Sequence, residues 1–452
     1  MTRWMTWAGV AMGVALAGCS SYRPWMNPPL PPAAAASALP AQAHPSRPVM
    51  AAITLSGGGA RAAAFGLGVL QELKATQFTL HGQPTTLLDQ VALVSGVSGG
   101  SILAAHFAAF GDATLSRFEP DFLLVPFEAQ LIRQALAPTL LYRLSSPWYG
   151  RTQVLAQRLD ELYGGLTFGD VRRRPGAPDL MITATDLTTG APFDFTPEQF
   201  QVICSDLDAT PLSFAAAASS AVPLLLSPAT VRNHAGSCPQ RATASTADPA
   251  TADYRTRILQ RSVDGYRNAG ERPFIHLVDG GVTDNLGVRL MLDRLVASGS
   301  MSSNFADAPE GSIHRLLLIT VNSERGLAER VDSSDHVPST SQVLESLIFG
   351  AGSRETEVTL ALLQDDLRRW REELARTRGK PGSPFAADAE VHAVSVSLHD
   401  VQDDRIRHQL LRVPTAFTIE ALDVRELQRA GAETLRGSPA FQQVRESLNR
   451  LR

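Results

Sequence analysis

The chain has 452 residues, a formal net charge of -4 and 44% apolar residues. That balance excludes a global basic field for nucleic acid and a solvated acidic tail, and the length suffices for a large domain with a sizeable core. The class of partner therefore has to come from local features.

At the N-terminus Arg3 precedes an apolar run over residues 7–16, too short to cross a bilayer but suited to a secretory h-region. The run ends Leu16-Ala17-Gly18-Cys19, which resembles the bacterial lipoprotein signal. By that resemblance residues 1–18 are a removable leader and Cys19 becomes a lipidated first residue, with more than one acyl chain to give stable anchoring. Ser20 after the cysteine favours the outer membrane, facing the periplasm. Residues 19–48, rich in Pro and Ala, read as a semi-extended spacer that holds the globular body off the lipid surface. In an oxidising compartment Cys204 and Cys238 either pair or remain free thiols, since spacing alone does not give their separation.

Globular patterning begins at Val49. Short apolar runs at residues 50–55, 91–94, 180–185, 275–278 and 316–321 have the character of buried parallel strands. Helical patterns lie between them at residues 62–73 and 101–110, and a long amphipathic stretch covers 341–374. Alternation of this kind predicts an α/β sheet covered on both faces. Residues 234–255, polar and without apolar period, predict an exposed insertion or loop. Residues 392–398 alternate like one more strand, and the rest is helical and charged. The expected division is a body over 49–325 and a helical extension over 326–452 that packs on it or covers it.

Three glycine-punctuated corners carry chemistry. Gly96-Val97-Ser98-Gly99-Gly100 follows a strand and precedes a helix, the context of a nucleophile elbow, in which small neighbours leave the serine hydroxyl exposed. Ser56-Gly57-Gly58-Gly59-Ala60-Arg61 stands in the same strand-to-helix context, so its amides converge as an anion nest. No Gly-Lys-Ser/Thr ends it, which turns the choice from a nucleotide phosphate to the oxyanion of an acyl intermediate. Arg61 either reinforces that site or faces solvent. Asp279-Gly280-Gly281 follows another apolar run and offers a carboxylate as the base a serine needs.

Together these segments resemble the patatin-like phospholipase family. Gly57, Gly58, Gly59, Ala60 and Arg61 match its glycine-rich oxyanion loop, Gly96 to Gly100 its elbow, and Asp279-Gly280-Gly281 its aspartate motif. Residues 184–190 and 217–223 look like further strands and turns of the family. Ala62 departs from it, standing where the family usually has Gly. The resemblance implies a three-layer α/β/α fold with a central mostly parallel sheet, and a Ser98–Asp279 dyad without a catalytic histidine. It also implies cleavage of acyl esters of phospholipids or related lipids, with no metal or organic cofactor. His314, His336, His392, His399 and His408 follow Asp279 in the order a Ser-Asp-His triad would need, but none sits in a turn signature that singles it out. Acyl transfer to an alcohol, peptide hydrolysis, and lipid or partner binding without turnover remain open as alternatives.

Overall fold

The computed structural model describes residues 20–31, 47–238, 253–325, 335–339, 343 and 351–451. The leader and Cys19 lie outside them, as do residues 239–252 of the expected insertion. The principal elements are β1 (Val49–Leu55), α1 (Gly59–Ala75), β2 (Val91–Val97), α2 (Gly99–Phe110), α3 (Phe127–Ala135), α4 (Pro138–Leu144), α5 (Arg151–Tyr163), β3 (Asp179–Asp186), β4 (Pro192–Phe195), α6 (Leu212–Ser219) and β5 (Ala229–Arg232). After them come α7 (Tyr254–Arg267), β6 (Phe274–Val278), α8 (Arg289–Ala297), β7 (Ile313–Asn322), α9 (Ala351–Thr377), β8 (Phe385–Ser397), α10 (Ala421–Gly437) and α11 (Pro439–Asn449).

Eight strands form one sheet in the order β8-β7-β1-β2-β3-β6-β5, with β4 paired to β3 off this path. The first five in that order run parallel; β6, β5 and β4 join antiparallel. The sequence expects residues 275–278 to be a parallel strand, but β6 enters from the opposite direction, because only apolar character and not direction is written in a five-residue run.

Side-chain alternation explains the two covered faces. Val49, Ala51, Ile53 and Leu55 of β1 join a large core cluster with α1, α2 and α10, while Met50 and Ala52 point into smaller clusters that contain Leu367 and Leu363 of α9. Helices on both faces of a mostly parallel sheet make the fold a three-layer α/β/α sandwich.

The C-terminal part is more than a cover. β8 pairs with β7 in parallel from Glu390 opposite Arg315 to Ser397 opposite Asn322. Helix α10 lies against α1 at backbone distance: a β-carbon on Gly68 would stand 1.9 Å from the Gln428 carbonyl oxygen, and one on Gly431 would stand 2.2 Å from that of Phe65. Arg436 and Glu72 close the same contact as an ion pair at 2.5 Å. Residues beyond 351 thus complete the sheet and one face of its core.

The spacer also differs from expectation over its described part. Asn27 is buried, donates to Ser205 Oγ at 2.7 Å and to the Arg232 carbonyl at 2.9 Å, and accepts from Arg232 N at 2.7 Å. Leu30 N donates to Cys204 O at 2.8 Å, Asp206 N donates to Pro28 O at 3.1 Å, and Trp25 packs on Phe214 at 4.7 Å between ring centroids. Prolines remove donors but leave carbonyls free to accept, so this stretch runs as a strap along the body. Cys204 and Cys238 are joined by a disulfide, with Cα atoms 6.0 Å apart.

Candidate active site

Sheet register brings the corners together. Gly96 and Val97 of β2 stand opposite Ile182 and Thr183 of β3. Further along the same edge of β3, Val278 stands opposite Thr185 in an antiparallel pair, the other edge being taken by β4. Continuing each strand by one residue brings Ser98 and Asp279 to the level of Ala184 from opposite directions along that one edge, so the two corners meet head to head. Leu55 opposite Gly96 brings Ser56 and Gly57 to the same crest.

Ser98 adopts φ 49° and ψ -123°, a conformation a non-glycine residue rarely holds. The surroundings impose it: Ser98 N donates to Ser219 Oγ at 2.8 Å, Ser219 Oγ donates to Thr183 O at 2.6 Å, and Ser101 Oγ donates to Ser98 O at 2.6 Å. The elbow glycines answer to contact. A β-carbon on Gly96 would meet Ser101 Cα at 2.6 Å, one on Gly99 the Gly59 carbonyl oxygen at 2.0 Å, and one on Gly100 the Leu55 carbonyl oxygen at 2.3 Å.

Ser98 Oγ donates to Asp279 Oδ2 at 2.8 Å, and the second carboxylate oxygen accepts from Gly281 N at 2.8 Å. Asp279 N donates to Ala221 O at 3.0 Å, which holds the side chain's root. Burial pushes the Asp279 carboxyl up to about 6, with the Gly281 amide and the Ser98 hydroxyl pulling the other way. Among the described histidines none is bonded to Ser98 or Asp279; His106, buried on α2, faces Thr114 and is driven down to about 3 by desolvation.

The glycine loop lies alongside: a β-carbon on Gly57 would be 3.4 Å from Ser98 Cβ. Not all its amides are available. Gly57 N donates to Asn285 O at 3.1 Å and Ala60 N to Ala416 O at 2.7 Å. Gly58 and Gly59, with φ of 138° and 62°, keep N–H groups without an acceptor among the described residues. The four-amide nest read from residues 57–60 is therefore narrowed to two donors, because the other two are consumed in docking the loop.

Arg61 is placed elsewhere than at an oxyanion. It is buried, with Nε donating to Ser323 O at 3.1 Å and Nη1 to Val413 O at 2.7 Å, and desolvation lowers its guanidinium to about 9. It ties the loop to the end of β7 and to the C-terminal part. Ala62, the departure noted in the sequence, is buried in the first turn of α1.

Sequence reasoning missed the partners that hold these groups. Ser219 lies within residues 217–223, where the sequence shows a family-like turn but no sign of the hydroxyl that holds Ser98 N. Asn285 carries the carbonyl that docks Gly57, and its side chain stands so close that a β-carbon on Gly57 would meet Oδ1 at 2.5 Å. Asp284 beside it is pushed up to about 7, mainly by burial, and accepts from Gly287 N and Arg289 N, which shapes the turn bearing Asn285. The Asp following two glycines by three residues was a visible turn signal; the Ala416 carbonyl had none.

The family model described as patatin-like phospholipase matches residues 53–292. Among solved structures, human GIVD cytosolic phospholipase A2 matches at 13% identity and a TM-score of 0.46, over 89% of this chain and 62% of that one. VipD from Legionella pneumophila matches at 12% identity and a TM-score of 0.32, over 88% of this chain and 67% of that one. Full-length ExoU in complex with SpcU from the type III secretion system of Pseudomonas aeruginosa gives 17% identity and a TM-score of 0.25, over 70% and 53%. The chain thus spans about three fifths of the human protein's length, 62% of it. No curated protein matches the chain.

Proposed function

The chain belongs to the patatin-like phospholipase family, and from that premise we propose that it is a serine acyl-hydrolase acting on phospholipids or related acyl-ester lipids, with Ser98 as nucleophile and Asp279 as its base. The observation that carries this is the 2.8 Å hydrogen bond from Ser98 Oγ to Asp279 Oδ2 at a strained strand-to-helix corner.

In the first step Asp279 Oδ2 takes the hydroxyl proton as Ser98 Oγ bonds to the ester carbonyl carbon. The carbonyl oxygen, now negative, accepts from the Gly58 and Gly59 amides, each such donor being worth about 10²- to 10³-fold in turnover. Collapse of the intermediate breaks the bond to the leaving alcohol, which receives the proton from Asp279. Water then repeats the sequence: it gives a proton to Asp279, attacks the acyl carbon, and releases the fatty acid as Ser98 Oγ regains a proton. A carboxylate with its usual acidity would be a weak base for this work, and burial is what raises it toward neutrality.

Anchoring belongs to the same reading. Leu16-Ala17-Gly18-Cys19 supports lipid on Cys19 and attachment to the bacterial outer membrane, facing the periplasm. Among the described residues no helix is long and apolar enough to cross a membrane.

Fatty-acid release from mixed phospholipid vesicles tests the reaction, with Ser98→Ala and Asp279→Asn as controls. Release that survives Ser98→Ala, or fluorophosphonate labelling undiminished by it, would show a different nucleophile. Acyl chains recovered on an added alcohol instead of as free acid would make the enzyme a transferase.

A further inference from the structure

We propose that the face built by α3, α4 and the loop at Leu224-Leu225 docks directly on a phospholipid bilayer, with the N-terminal strap fixing it there. The proposal rests on the lipid-anchor reading of Cys19 but not on the chemistry of Ser98.

The strap is the first observation. A free Pro/Ala spacer of this length would let the body stand off on the order of tens of ångströms from its anchor. Instead Ser20 is buried and its N–H donates to Ser145 Oγ at 3.0 Å, one residue past the end of α4. Ser146 Oγ donates to the Tyr22 carbonyl at 2.6 Å, Tyr22 meets Tyr149 edge-on at 5.4 Å, and the Arg143 guanidinium covers the Tyr22 ring at 4.5 Å. A lipid carried on Cys19 is attached one peptide bond from Ser20, so it leaves the body beside Ser145.

The second observation is what surrounds that point. Ile132 and Leu136 at α3, Leu141 and Tyr142 of α4, and Trp148 are large apolar side chains open to solvent. Leu224 and Leu225 extend the patch, joined to it by Arg151, which starts α5 and donates to the Leu224 carbonyl at 2.7 Å. Exposure across the set runs from 46% at Trp148 to 69% at Leu225, whereas a soluble surface usually scatters such residues singly. Arg23, stacked over Trp148 at 4.4 Å, and the exposed Arg133 and Arg151 add positive charge among the aromatics. Apolar side chains flanked by Trp, Tyr and Arg suit the headgroup boundary of a bilayer with anionic lipid.

Third, the patch reaches the active site. Ala221 O holds Asp279 N and Ser219 Oγ holds Ser98 N, and the chain passes from these through Pro223 to Leu224. Leu224 keeps φ 70°, an uncommon value for a side chain of its size, so its projection is enforced by the fold. Anchor, apolar face and reacting hydroxyl are then aligned on one leaflet, and substrate enters from the bilayer against which the enzyme rests.

The test uses the full, acylated chain in phosphatidylethanolamine/phosphatidylglycerol vesicles with brominated acyl chains, read by tryptophan fluorescence. Quenching is expected, and Trp148→Phe is expected to remove most of it. Absence of quenching in the anchored wild type, or quenching that Trp148→Phe leaves intact, overturns the proposal. A second arm places Leu136→Glu, Leu141→Glu and Leu225→Glu together in the non-acylated Cys19→Ser chain, with circular dichroism and melting temperature as folding controls. Vesicle partition should weaken at least about tenfold; equal partition overturns it. Shielding of Trp148 by concentration-dependent self-association without vesicles would assign the face to a second copy and also overturns it. Quenching without fatty-acid release counts against the hydrolase reading alone.

Discussion

Gly99 of the elbow and Gly59 of the glycine loop meet backbone to backbone, so that a β-carbon on Gly99 would lie 2.0 Å from the Gly59 carbonyl oxygen. The proposed nucleophile's corner and the glycine loop are therefore spaced by the absence of a side chain. Gly99→Ala is expected to push the loop away from Ser98 and to lower kcat/KM about 10²-fold or more, since displaced donors no longer reach the developing oxyanion. Crowding should also cost about 1–3 kcal/mol of stability. Steady-state kinetics on a soluble ester, beside a denaturant titration, separates the two effects; unchanged kinetics would show that the contact is not needed for spacing.

Asp279 must be ionised to accept a proton, and its carboxyl is pushed up to about 6. Activity is therefore expected to rise with pH through about 6 and to level above it; a flat profile from about pH 4 to about pH 8 would contradict the assignment. Stability runs the other way. A carboxyl whose folded value exceeds its unfolded value of 3.8 penalises the fold increasingly as pH climbs between the two, and the penalty is complete above the higher one. Asp279→Asn should thus gain on the wild type as pH rises from about 4 to about 7, by about 1–3 kcal/mol, while losing activity. Paired chemical denaturation curves at those pH values check the sign.

Arg61 serves as a clamp in the structure, bonded to the carbonyls of Ser323 and Val413. Arg61→Ala would leave both acceptors buried without a donor and a void beside them, for a loss of about 2–4 kcal/mol. Arg61→Lys offers one ammonium where a planar fork spans two carbonyls, so partial rescue of stability is expected. Full recovery of both melting temperature and activity by lysine would remove the clamp argument.

The disulfide joins two parts of one seam. Cys204 O accepts from Leu30 N of the strap, and His234 N, four residues before Cys238, donates to Ile203 O. Replacing both cysteines by serine should cost about 2–4 kcal/mol. It should also loosen the neighbouring strap, so residues 20–31 are expected to become cleavable by protease before the core unfolds. Equal cleavage rates in the two proteins would separate the seam from the strap.

How far the sequence could be read follows from the range of the interactions involved. The strands flanking the three glycine corners and the helices after two of them are local: apolar runs, small residues at turns, and their order along the chain. The observed elements extend those readings by a few residues, as where β2 runs to Val97 and β7 starts at Ile313. The direction of β6 and the docking of Asn27 are not local, and neither is the pairing of β8 with β7, so none of them was legible.

By itself the sequence determined which residues are candidates for the chemistry: a serine and an aspartate each at the end of an apolar strand, and glycines where close approach forbids a side chain. Tertiary structure alone decided that Ser98 and Asp279 meet beside Ala184 at hydrogen-bonding distance, and that Gly57 and Ala60 spend their amides on Asn285 and Ala416 while Gly58 and Gly59 keep theirs. It also decided that residues 20–31, with the composition of a tether, lie along the body. The reason is physical: composition and period report what a segment can bury, whereas register and long-range hydrogen bonds depend on which distant segment arrives to pair with it.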